Sequence, residues 1–95
     1  MTMHHRPRSE LRERLELEAL AALIDQRLTL NGGAPREAEA LILDLERAGV
    51  AWLETKDGSL KLTAHGITGV AYASPNAVLR EWQRKASRRA RTLAG

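Results

Sequence analysis

Arg80, Arg84, Arg88 and Arg91 recur at steps of four, four and three residues near the end of this 95-residue chain, with Lys85 and Arg89 beside them. On a helical projection the four arginines share one side, and Val78, Leu79, Trp82, Ala86, Ala90 and Leu93 share the opposite one. Guanidinium forks at that spacing reach successive phosphates of a nucleic-acid backbone and bind them bidentately. The chemistry on offer is therefore recognition of an anionic partner. Arg80, Arg84, Lys85, Arg88, Arg89 and Arg91 are the candidate nucleic-acid-binding residues. Two other uses of the stripe stay open: contact with a protein partner, and a solvated face paired with the glutamates of the first helix. A basic last turn also complements the helix dipole. Nothing in the chain specifies a sequence-reading element, so binding to DNA or RNA would be mostly electrostatic.

The net charge of +3 hides an asymmetry: residues 80–95 carry six basic groups and one acid, Glu81, whereas residues 1–79 carry nine basic and eleven acidic groups. A basic end on a mildly acidic body suits nucleic-acid binding. It equally suits self-assembly of basic end against acidic helix, and a homodimer is expected because so small a core is thin. The aromatic residues are Trp52, Tyr72 and Trp82, with no Phe. Each tryptophan should therefore matter to the core or to a binding surface.

Catalytic chemistry has little to draw on. The absence of Cys excludes disulfides and thiolate chemistry. His4, His5 and His65 lack metal-ligand spacing, so neither metal nor cofactor is expected. His65 with Ser74 or Asp57 has the residue types of a nucleophile pair, but nothing positions them. Gly66 and Gly69 read as backbone bends, since no phosphate-loop pattern exists. A non-enzymatic protein follows. No apolar run approaches the roughly 18 residues of a membrane span. Residues 1–10 lack the hydrophobic centre of a secretory signal, and the expected location is cytoplasmic. The Arg, Ala and Leu enrichment is in keeping with a bacterial or phage genome of high GC content.

The elements that must hold these residues can be read in order. Residues 1–8 are expected to be disordered, and residues 9–95 to form a single small domain. Ser9, after Pro7, should cap a first helix over about residues 10–28. Leu11, Leu15, Ala19, Ala22 and Leu23 share one side of it; Leu17, Leu20, Ile24 and Leu28 share another. A helix apolar on two sides must be covered twice, by its own core and by something else, or else it is the central helix of a small bundle. Asn31-Gly32-Gly33 breaks the chain. A second helix starts at Pro35, carries the one-sided stripe Ala38, Leu41, Ile42, Leu45 and Ala48, and ends at Gly49 in a left-handed cap. Residues 50–55 and 60–64 bracket Asp57-Gly58, a strong hairpin signal. A two-residue turn puts Ala51, Leu53 and Thr55 opposite Ala64, Leu62 and Leu60 on the core face. Trp52 then lies on the other face near Lys61 and Thr63. It could offer a stacking platform there, but the favoured expectation is that the last helix covers that face and packs Trp52 against Trp82. Residues 66–73 are either a third strand or an irregular crossing. Ser74-Pro75 caps and opens the last helix. The fold class is α+β, about three helices packed on a two- or three-stranded antiparallel hairpin sheet.

The stretch Leu41-Ile42-Leu43-Asp44-Leu45-Glu46-Arg47-Ala48-Gly49-Val50, followed by the hairpin and a Pro-led helix, resembles the TubC-type N-terminal docking domains of hybrid peptide and polyketide synthases over about residues 37–91. The resemblance implies a module that captures a short tail of an upstream enzyme, with the hairpin as docking edge and Lys56 and Lys61 as charge selectors. An acidic first helix is a departure from that family. The order of two helices and a hairpin is also similar to a winged helix, but only Gly49 stands where its recognition helix would be. Two functions are carried forward. The first is a small regulatory protein, of phage or plasmid type, binding nucleic acid through the last helix. The second is a protein–protein adaptor, docking or inhibitor module, with Trp52, Lys56, Lys61, Leu17, Leu20 and Ile24 as partner-binding residues. No membrane partner is expected.

Overall fold

A computed structural model describes residues 5–72 and 74–94, with side chains from Glu10 onward apart from Asn31, Ala73 and Ala94. The elements are α1 (His5–Thr29), a 3-10 turn (Leu30–Gly32), α2 (Pro35–Arg47), β1 (Ala51–Lys56), β2 (Ser59–Ala64), β3 (Ile67–Ala71) and α3 (Pro75–Ala94). The three strands form one antiparallel sheet in the order β1-β2-β3. The fold is thus α+β, and residues 67–71 are a true third strand.

The first helix begins earlier than its sequence signals imply. α1 starts at His5, so Ser9 lies inside it instead of capping it. Pro7 does not prevent this, because the first-turn N–H groups of a helix have no intrahelical acceptor to lose. The expectation of disorder for residues 1–4 lies outside the described residues.

The helix and strand ends obey local chemistry. At the end of α2, Gly49 N–H donates to the Glu46 carbonyl at 3.0 Å and Val50 N–H to the Leu45 carbonyl at 2.9 Å. That double closure requires a left-handed residue, and Gly49 supplies it with φ of 73°. The β1–β2 turn is Asp57-Gly58 with φ of 52° and 81°, and the β2–β3 turn is His65-Gly66 with φ of 51° and 76°. Two consecutive left-handed residues match the twist of the flanking strands, so both hairpins close in two residues. The β1–β2 register follows: Ala51 opposite Ala64, Leu53 opposite Leu62, Thr55 opposite Leu60.

One face of the sheet is covered by helix, the other is open. The core gathers Leu17, Leu20, Ile24 and Leu28 of α1, Ala38, Leu41, Ile42 and Leu45 of α2, Ala51, Leu62 and Ala64 of the sheet, and Val78, Leu79, Trp82, Ala86 and Ala90 of α3. Two expectations are corrected here. Leu17, Leu20 and Ile24 are 0%, 7% and 0% exposed in the chain's own core and cannot meet a partner. Trp52 does not pack on Trp82: α3 covers the opposite face, leaving Trp52 54% exposed and Trp82 fully buried.

Trp82 fixes how α3 sits. Its indole N–H is shared between the carbonyls of Ala64 and Ile67, each 3.1 Å away, the two residues that close the second turn. Beside it, a Cβ on Gly69 would lie 2.6 Å from the backbone nitrogen of Trp82. The α3 backbone therefore rests directly on β3. Gly69→Ala must push the helix off the strand, and overpacking of this kind costs roughly 1–3 kcal/mol. Thermal unfolding should show a melting temperature lower by about 4–8 °C per kcal/mol; an unchanged melting temperature would mean the contact is not as close as described.

Candidate nucleic-acid interface

The frame for the basic residues is α3, held at both ends. Ser74 Oγ accepts the Ala77 N–H at 3.2 Å, which caps the helix, and Pro75 occupies its first position. Along its length α3 runs antiparallel to α1. Arg80 pairs with Asp25 at 2.8 Å, Gln83 Nε2 donates to the Ala21 carbonyl at 2.9 Å, and Arg89 pairs with Glu13 at 3.0 Å.

These contacts divide the six candidate residues. Arg80 is tied to Asp25 and also donates to Gln83 Oε1 at 2.8 Å. Lys85 is half-buried and donates from Nζ to the Thr68 carbonyl on edge strand β3 at 2.9 Å. Arg89 is tied to Glu13, which pushes its guanidinium pKa further up. Arg84 is exposed but grips Glu81 through both Nε and Nη2. Arg88 and Arg91 are exposed, and among the described residues no carboxylate pairs with their guanidinium groups. The stripe is therefore three residues joined to the body of the domain (Arg80, Lys85, Arg89) and a row of three facing water (Arg84, Arg88, Arg91). Arg84 to Arg91 spans about 10 Å of helix, a length over which one chain of phosphates can be followed.

Glu81 was not singled out by sequence reasoning except as a lone acid, yet it controls Arg84. The hydrogen bond from Arg84 holds its carboxyl below the ordinary value of 4.5, outweighing the opposing effect of desolvation; the charges of Arg84, Lys85 and Arg88 act in the same direction as the bond.

The open face of the sheet carries the other candidates. Trp52 stands opposite Thr63, and Thr63 Oγ1 lies 3.2 Å from Thr68 Oγ1 on the next strand. Glu54 faces Lys61 at 3.9 Å, and Lys56 is exposed at the strand end. Val70 and Tyr72, 42% and 76% exposed, extend the same alternation beyond Thr68; a period-two reading of residues 68–72 would have found them. Both sheet edges are partly occupied. Glu46 accepts the Leu53 N–H at 3.0 Å on β1, and Lys85 occupies the Thr68 carbonyl on β3.

The residues imagined as a nucleophile pair are apart. Asp57 and His65 occupy turns at opposite ends of β2, roughly 20 Å from each other. Ser74 Oγ is engaged as a helix cap. Among the described residues no group of three or more His, Cys, Asp or Glu is placed to hold a metal ion, and no helix is long and apolar enough to cross a membrane.

The Glu81–Arg84 pair has a definite pH signature. A carboxyl whose folded-state pKa is lowered contributes stability above its unfolded value and loses that contribution as pH falls through the folded value. The pair is exposed, so its effect on stability is small. Carboxyl-detected NMR should find Glu81 titrating below 4.5, with Arg84→Ala moving the midpoint back up. A midpoint indifferent to Arg84→Ala would contradict the pairing. Comparison of the chain with protein-family models, with curated proteins and with solved structures finds no match.

Proposed function

We propose that this is a non-enzymatic regulatory protein that binds nucleic acid through α3. The observation that carries this reading is the row Arg84, Arg88 and Arg91, presented to water on the side of α3 opposite its buried stripe, with Arg88 and Arg91 free of internal carboxylates among the described residues. An arginine held in an ion pair must lose that pair before it meets a phosphate. An unpaired one loses only water and counterions, so Arg88 and Arg91 are the strongest phosphate ligands of the six. Arg80, Lys85 and Arg89 contribute mainly by fixing α3 to α1 and β3. Three phosphate contacts correspond to a logarithmic salt slope of about −2.7, or an affinity loss of roughly 40-fold between about 50 and 200 mM salt. The small count fits weak binding without sequence readout.

A second reading, protein docking, is favoured by Trp52. A tryptophan 54% exposed on an open sheet face flanked by Lys61 and Lys56 is a typical anchor of a protein interface. It fits the resemblance to synthase docking domains. The occupied edges favour an occupant lying on the face of the sheet over one adding a strand, because strand addition at β1 would have to displace Glu46 from the Leu53 N–H.

Fluorescence anisotropy with labelled duplex DNA and single-stranded RNA at two salt concentrations separates the readings. Nucleic-acid binding predicts that Arg88→Ala with Arg91→Ala flattens the salt slope to about −0.9. It also predicts that Glu81→Gln, which releases Arg84, raises affinity several-fold. Binding unchanged in the double variant would overturn the assignment to α3. Docking predicts instead that Trp52→Ala abolishes capture of a partner while affinity for either nucleic acid stays near zero in the unaltered protein.

A further inference from the structure

We propose that the outer face of α1 is the interface of a homodimer in which two copies of α1 pack antiparallel about a two-fold axis at Leu15. The inner face of α1, Leu17, Leu20, Ile24 and Leu28, is buried in the chain's own core. The outer face carries Leu11 and Leu15, 48% and 52% exposed, with the exposed Ala19 and Ala22 in line. Steps of four, four and three residues keep these on one stripe of the helix. Leu11, Leu15 and Ala19, with Arg12 and Glu16, line a shallow, mainly apolar hollow that, among the described residues, no other element lines.

The stripe is self-complementary when reversed. With the two-fold at Leu15, Leu15 meets the partner's Leu15, and Leu11 meets the partner's Ala19. A large side chain then lies over a small one on each side of the axis, as close packing demands. A parallel pair would instead set Ala22 against the partner's Ala22 and leave a void.

The flanking charges agree with the same register. On a helical projection Arg12 and Glu16 lie along one flank of the stripe, Arg14 and Glu18 along the other. In an antiparallel pair each flank faces the same flank of the partner, reversed end to end. Arg12 therefore faces the partner's Glu16, and Arg14 faces the partner's Glu18, each contact occurring twice. The single chain leaves these groups poorly served. Arg14 reaches its own Glu18 at only 4.0 Å, and its Nε is buried without a hydrogen-bond acceptor. Arg12 and Glu16 are exposed, and among the described residues neither has an ion-pair partner. A nucleic acid would meet repulsion from Glu16 and Glu18, so flanks of mixed sign fit a second copy better. The contact spans only a few helical turns, at the small end of specific interfaces, and an association in the roughly micromolar range follows.

Sedimentation velocity on the full chain across roughly 5–200 µM tests this. The mass should rise with concentration from 10.5 kDa toward twice that value. Leu15→Glu, at an exposed position, should leave the circular-dichroism spectrum intact and hold the protein at the single-chain mass. Arg12→Glu should weaken association at least tenfold, and adding Glu16→Arg should restore it, because both members of each cross-pair then reverse sign. The chain has no cysteine, so Leu15→Cys should cross-link on oxidation, whereas Ala22→Cys, about 21 Å from its copy in this register, should not. A single-chain mass at every concentration, a dimer indifferent to Leu15→Glu, or equal cross-linking at both positions would each overturn the proposal. So would a mass that rises only when an oligonucleotide is added.

Discussion

The contact of Trp82 with β3 is the constraint on which the rest of the arrangement depends. A buried indole must place both its ring and its N–H. Here the ring fills the space between the sheet and the helices, and the N–H is accepted by the two carbonyls that close the β2–β3 turn. The helix can come that close only because Gly69 presents no side chain. Helix position, helix rotation and the geometry of the second hairpin are thus set by one residue. Once Trp82 faces the sheet, the 3.6-residue period sends Arg84, Arg88 and Arg91 to water. The candidate interface is in that sense a consequence of the core.

The hairpin and the last helix were legible because their signals are local. Asp57-Gly58, Gly49 and Ser74-Pro75 each perform in the structure the turn or cap that their residue types imply. The third strand was ambiguous because its turn, His65-Gly66, lacks the usual Asn or Asp, although His is among the few side chains that accept a left-handed backbone. The start of α1 was misplaced because Ser9 and Pro7 carry capping signals that a longer helix overrides. What sequence periodicity could not supply was which side of α1 the core would take. The two apolar sides of α1 look alike on a projection, and choosing the one that packs requires knowing where α3 lies. The same limit explains Trp52: its face was read correctly, but whether a helix covered that face was a question of tertiary arrangement.

The site itself was half legible. All six candidate basic residues lie on α3 as their spacing implies, yet their division into tethered and free groups depends on acids far away in sequence. Asp25 lies 55 residues from Arg80, and Glu13 lies 76 residues from Arg89. Such pairs are invisible to helical periodicity. They also change what the charge asymmetry means. A basic end on an acidic body is in part satisfied internally, so the net charge of the segment overstates what it offers to an outside anion. The partly exposed ion pairs add little stability. Their larger effect is orientational, since they hold the rotation of α3 that Trp82 sets.

The two faces argued for partner contact do not compete. α1 uses one side for its own core and α3, and in the proposed dimer the opposite side would meet the paired copy. Pairing on that outer side leaves the arginine row of α3 uncovered in each copy. A two-fold axis at Leu15 that reverses α1 would also reverse α3, so the two rows would run antiparallel. On the proposed reading, each row alone would engage few phosphates, with correspondingly low affinity. Two rows on one body can engage one polyanion together only if that chain is long or flexible enough to reach both, and then the second contact forms at a raised effective concentration. Chain length would then enter affinity through geometry and not through any new chemical contact. Glu16 and Glu18, which would repel a nucleic acid laid along α1, are the acids proposed to cross-pair between copies, so in the proposed assembly one charge pattern would both direct pairing and confine a polyanion to α3.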